Sequence, residues 1–152
     1  MNAWKQLMLV CLTSGIAMTA SAQERGTREE AKAMTDAAVE HVKKVGAEKA
    51  FKDFNTDKAW RKKDLYVIAF DSKGICMAHG ANERLVGKNL YENKDASGKR
   101  MTAEMLKLVT TAGSGWTDYD FVNPVTKKIE PKSTYGRKLP NFDGIVGVGV
   151  YR

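Results

Sequence analysis

From residue 27 onward, apolar positions fall first at helical and then at strand spacing. Thr27 with Glu30 three residues later fits a capping box. Ala31, Met34, Ala38, Val42 and Val45 then recur on one helical face. Lys43 and Lys44 suit a last turn, and Gly46 suits its C-cap. Ala47, Ala50, Phe51 and Phe54 repeat the period, so the pattern predicts a kinked or two-part helix over residues 27–54. Residues 56–63 are a short polar segment around Trp60, the length of one helical turn. LYVIAF (65–70) is a strong β run closed by the turn Asp71-Ser72-Lys73-Gly74, and ICMAH (75–79) is its hairpin partner.

A loop follows, and Met101, Met105, Leu108 and Val109 mark a second helix ending near Gly113. Three more β runs complete the chain: GWTDYDFV (115–122), KIEPKSTYGRKL (128–139) and IVGVGVY (145–151). Asn123-Pro124 and Pro140-Asn141 separate them. Every strand-to-strand link except the one carrying the helix is short enough for a hairpin. The expectation is an α+β fold: a five-stranded antiparallel sheet, a long N-terminal helix, and a helix inserted after the first hairpin.

The first 22 residues follow a different rule. Lys5 gives a positive start, Leu7 to Ala20 is an apolar run, and Ala20-Ser21-Ala22 is an A-x-A cleavage pattern. Residues 1–22 read as a signal peptide cleaved after Ala22, and residues 23–152 as one exported domain. Removal also takes Cys11, leaving Cys76 as the single thiol, so no internal disulfide braces the domain. Cys76 sits between Ile75 and Met77 and reads as a small buried apolar side chain. The 25 basic residues are scattered among 18 acidic ones. With export, that argues against nucleic acid and for a mildly basic surface that attracts small anions.

Enzyme signatures are thin. There is no Walker A pattern, no G-x-S-x-G elbow and no H-E-x-x-H. GIVGVG lies in the last strand with no helix after it, so a dinucleotide site fails on context. His41 and His79 come from a helix and a strand end, and no metal or cofactor is expected. Binding features are better represented. Trp116 and Tyr119 lie in one strand, Lys132, Tyr135 and Arg137 in the next, and His79 and Lys88 flank the loop. Aromatic walls with a few donors suit a small anion. Trp116 and Tyr119 are three apart, as are Lys132 and Tyr135, so each pair points to opposite faces of a regular strand. Both members reach one pocket only at a bulge or a strand end.

Six segments in this order and spacing resemble the single Cache domain, an extracytoplasmic relative of the PAS fold found in bacterial chemoreceptors and sensor kinases. They are GAEKAFKDFN, DLYVIAFDSKGICMAHGANERLVGKNL, KDASGKRMTAEML, GWTDYDFVNP, KSTYGRKL and IVGVGVY. The resemblance implies ligand recognition rather than catalysis, with short carboxylates a frequent ligand class. It implies a ligand site at Tyr66, His79, Trp116, Tyr119, Lys132 and Tyr135. Lys132 would pair with a carboxylate, helped by His79 or a tyrosine hydroxyl. Trp116 and Tyr119 would form apolar walls, and Met101 and Met105 would close the pocket from the helix. In AHGANERLVGKN (78–89), Leu85 and Val86 would plug the loop into the core, and Gly87 would let the backbone turn.

The last strand closes at Arg152 with no second apolar span, which reads as a freestanding periplasmic form. A signalling or chemotactic role then needs a partner, a membrane receptor or sensor kinase. Related receptors dimerise through the helix equivalent to the first one here, which makes that helix the candidate interface for a homodimer. The alternative is a ligand-independent module that docks on a membrane sensor through the same helix.

Overall fold

The computed structural model describes residues 24–152, so the signal peptide read in residues 1–22 lies outside the described residues. The N-terminal helical pattern forms two helices. α1 spans Arg28–Val45 and α2 spans Ala47–Thr56. α1 opens on the expected capping box: Thr27 Oγ1 accepts from Glu30 N at 3.1 Å, and Glu30 Oε2 accepts from Thr27 N at 3.0 Å. It stops at Gly46, whose φ of 84° breaks the helix while its N–H still reaches Val42 O. The polar segment around Trp60 is one 3-10 turn.

Six strands follow or interleave: β1 (Arg61–Lys62), β2 (Leu65–Asp71), β3 (Cys76–His79), β4 (Ser114–Val122), β5 (Ile129–Lys138) and β6 (Gly144–Tyr151). α3 (Met101–Ala112) lies between β3 and β4. The antiparallel order is β3-β2-β6-β5-β4, with the two-residue β1 added beside the start of β2. These are the five expected strands plus that short addition. β6 is central, paired with β2 on one side and β5 on the other. Its position explains why IVGVGVY lacks polar alternation: every residue of it is buried.

The sheet separates two layers. α1 and α2 pack on one face, against Leu65, Val67, Ala69, Val146, Val148 and Val150, with Phe51 and Phe54 filling the gap. α3 covers the other face, where Tyr66, Ile68, Phe70, Tyr119 and Tyr151 meet Met105, Leu106 and Val109. Gly115 and Gly136 let α3 sit close to the sheet. A Cβ on either would press into Leu108 or Val109. Cys76 is fully buried, and burial pushes its thiol up to about 12, so it serves as a small core side chain.

A candidate binding site under the third helix

The alternation of β2, β4 and β5 places Tyr66, Ile68, Phe70, Tyr119, Phe121 and Lys132 on the α3 side of the sheet. His79 enters at the end of β3, and Met101, Thr102 and Met105 come from the first turns of α3. Leu85 and Leu90, from the loop after β3, complete the enclosure. About 20 Å³ is left free for the centre of a water molecule, space for one or two waters. Outward, the site opens into a vestibule of about 350 Å³ by the same measure, where Asn82, Asn93 and Lys127 join the wall.

Lys132 is the central feature. It is 1% exposed, yet none of the twelve residues lining the cavity is acidic. Its ammonium donates to Tyr66 Oη at 2.7 Å and, more weakly, to Tyr151 Oη at 3.4 Å. The two tyrosine hydroxyls lie 3.1 Å apart, and Tyr151 donates to the Val122 carbonyl at 2.9 Å. One consistent chain therefore runs from Lys132 through Tyr66 and Tyr151 to a main-chain carbonyl, with both phenolic protons used. The third ammonium proton has no acceptor in that chain. The Tyr66 and Tyr151 rings add weaker attraction, at 4.0 and 4.6 Å from Nζ. Desolvation still dominates and lowers the lysine to about 7, with the Asp64 carboxylate opposing it. Gly149 makes room for this side chain. A Cβ there would overlap Lys132 Cε and Thr134 Oγ1.

His79 is equally constrained. Its Nδ1 accepts from Asn82 N at 3.0 Å, which leaves the proton of the neutral ring on Nε2. Burial, and then the neighbouring Lys132 charge, lower it to about 3. The ring stays neutral at physiological pH. Its main-chain N–H is held by Asn55 Oδ1 at 2.8 Å, which ties the end of β3 to α2. Tyr119 donates to or accepts from Thr134 Oγ1 at 2.7 Å, so its hydroxyl is engaged away from Lys132. Asp95 holds the loop leading into α3. Its carboxylate accepts from Ser97 N, Lys99 N and Asp120 N, the last at 3.1 Å on β4. These bonds overcome desolvation and keep Asp95 at about 2.

Four of the six residues expected at the site, Tyr66, His79, Tyr119 and Lys132, are brought together here. Trp116 and Tyr135 are not. They pair with each other across β4 and β5 on the opposite face, with ring centroids 5.2 Å apart. Arg28 of α1 lies 4.0 Å from the Trp116 centroid, and Lys32 lies 5.4 Å from that of Tyr135. The cause is the strand period: β4 and β5 pair without a bulge, so a separation of three changes face. Met101 and Met105 do close the cavity from α3. Leu85 reaches the cavity half-buried, while the fully inserted loop residue is Leu90. Phe121 was legible in principle, two residues after Tyr119 on the same face. Thr102 and Tyr151 carried no sequence signal, because their roles depend on which strand neighbours which.

The family model described as single Cache domain 2 matches residues 4–152. Among solved structures, a methyl-accepting chemotaxis protein from Vibrio parahaemolyticus is similar at 28% identity and a TM-score of 0.71. The match covers 81% of this chain and 86% of that one. A periplasmic sensor domain of a chemotaxis protein matches at 24% identity and TM-score 0.67, over 79% of this chain and 91% of that one. A Cache chemosensory domain described for carboxylic acid recognition matches at 21% and 0.69, over 81% and 91%.

Proposed function

The chain belongs to the single Cache domain family, a family of extracytoplasmic sensory domains, and we propose that it is a periplasmic sensor for a short organic acid. The observation that carries this reading is Lys132: a fully buried ammonium in a cavity without an acidic residue. A buried cation without a counter-charge is costly, and a bound carboxylate removes that cost. The neutral His79 Nε2–H supplies a second donor from the cavity wall. Ile68, Phe70, Leu90 and the two methionines suit a short apolar tail. The small free volume limits the ligand to a few heavy atoms, with Met101 and Met105 flexible enough to give way. A carboxylic acid is also the ligand class named for one structurally similar Cache chemosensory domain.

In this reading the domain transmits binding to a membrane receptor or sensor kinase, with α1 as its docking or dimerising helix. Refolded, ligand-stripped protein should gain thermal stability with short monocarboxylates and not with amines. At about 100 times the dissociation constant, the gain is about 2.7 kcal/mol. A folded protein that responds to none of them contradicts the reading and favours a ligand-independent docking module.

A further inference from the structure

Among the described residues, five threonines lie in α-helices, and four of them spend their hydroxyls on the carbonyl four residues back. Thr35, Thr56, Thr110 and Thr111 donate to Ala31, Lys52, Leu106 and Lys107 at 2.6 to 2.9 Å. Thr102 does not. It is the second residue of α3, where no helical carbonyl stands four residues back. Its side chain lines the cavity at 1% exposure, and its hydroxyl is buried without a partner. Such a group costs stability unless something fills its hydrogen-bonding capacity. The same helix end is electrostatically positive and incomplete. Arg100 precedes α3 with no side-chain cap, whereas α1 has its full capping box. The cavity wall thus holds an unused hydroxyl at an uncapped helix start, in addition to the Lys132 ammonium.

We infer that Thr102 is a specificity-determining donor: its hydroxyl takes the oxygen on carbon 2 of a substituted short carboxylate while Lys132 holds the carboxylate. This rests on the carboxylate reading above and narrows it to 2-hydroxy or 2-oxo acids. The oxygen accepts from Thr102 Oγ1–H, and the positive end of α3 favours an electron-rich atom there. An unsubstituted acid of the same length leaves the hydroxyl orphaned, as it is without ligand.

Propionate, lactate and pyruvate test this directly, because they share a three-carbon carboxylate and differ only at carbon 2. Calorimetric titration of the wild-type protein should show lactate or pyruvate binding about tenfold more tightly than propionate. Thr102→Val, nearly isosteric but without the hydroxyl, should shrink that ratio to within about twofold. Thr102→Ser keeps the hydroxyl and should retain the preference. Equal losses for all three acids in Thr102→Val overturn the assignment, as does a wild-type protein that does not discriminate among them. If Thr102→Val does not fold, the wild-type ratio and Thr102→Ser decide the matter: no wild-type preference, or its loss in the serine variant, overturns the proposal. Binding of none of the three to the wild type contradicts the carboxylate reading itself, and this proposal falls with it.

Discussion

The two faces of the sheet differ in chemistry as sharply as two regions sharing one backbone can. The face under α1 and α2 is mainly aliphatic and phenylalanine-rich, with Val67, Ala69, Val146, Val148 and Phe54 in one packed cluster. The face under α3 buries three tyrosines, a histidine, a lysine and three threonines. Two of those threonines, Thr102 and Thr117, leave their hydroxyls unpartnered. Neighbouring residues of the same strands feed both: Tyr66 and Val67 in β2, Lys132 and Ser133 in β5. The comparison teaches a division of labour. One face supplies hydrophobic driving force, and it offsets a second face whose unpartnered buried polar groups cost stability.

Substitutions on the two faces should therefore fail in different ways. Phe54→Ala, in the fully buried aliphatic layer, should have the largest effect on folding. It should cost about 3 to 5 kcal/mol in denaturant unfolding, with ligand affinity retained in the fraction that folds. Lys132→Met should do the reverse. Binding of short carboxylates should fall more than about a hundredfold by calorimetry, while the free protein keeps or gains thermal stability, because a buried lone charge is replaced by an apolar chain.

Gly149→Ala should disturb both properties. The added methyl overlaps Lys132 and Thr134, so a loss of about 1 to 3 kcal/mol should accompany weaker binding. Acid titration should expose His79. Its folded value near 3 lies below the unfolded 6.5, so its contribution is present above pH 6.5 and is lost as pH falls toward 3. His79→Phe should flatten the thermal-stability profile across that window. Smallest of all, Tyr135→Phe should leave carboxylate affinity within about twofold, because Tyr135 belongs to the α1 face. A large loss there would break the two-face account.

Much of this was legible in the chain, for identifiable reasons. Thr27, Glu30 and Gly46 specify where α1 starts and stops through local hydrogen bonds and φ alone. Period-two alternation gives each strand's two faces, so the separation of Trp116 from Tyr119, and of Lys132 from Tyr135, follows from spacing. Which member faces the cavity does not, because the choice depends on where α1 and α3 pack. Strand order was equally hidden. The hairpin links gave neighbours along the chain, but placing β6 between β2 and β5 brings Tyr151 to Lys132 and Gly149 beneath its stem. Thr102 had no signal at all, since an orphaned hydroxyl is defined by the partners that are missing around it.

The central claim is that Lys132, held without a counter-charge, is the seat of the ligand's carboxylate. Its most direct test is the number of protons taken up on binding, measured by calorimetry in buffers of different ionisation enthalpy. Burial lowers Lys132 to about 7 in the free protein, and on this account a bound carboxylate would hold it charged. Binding at pH 8 should draw in about one proton and binding at pH 6 almost none, with affinity falling about tenfold per pH unit above 7. Binding at pH 8 without proton uptake, or with uptake that persists in Lys132→Met, would contradict the account.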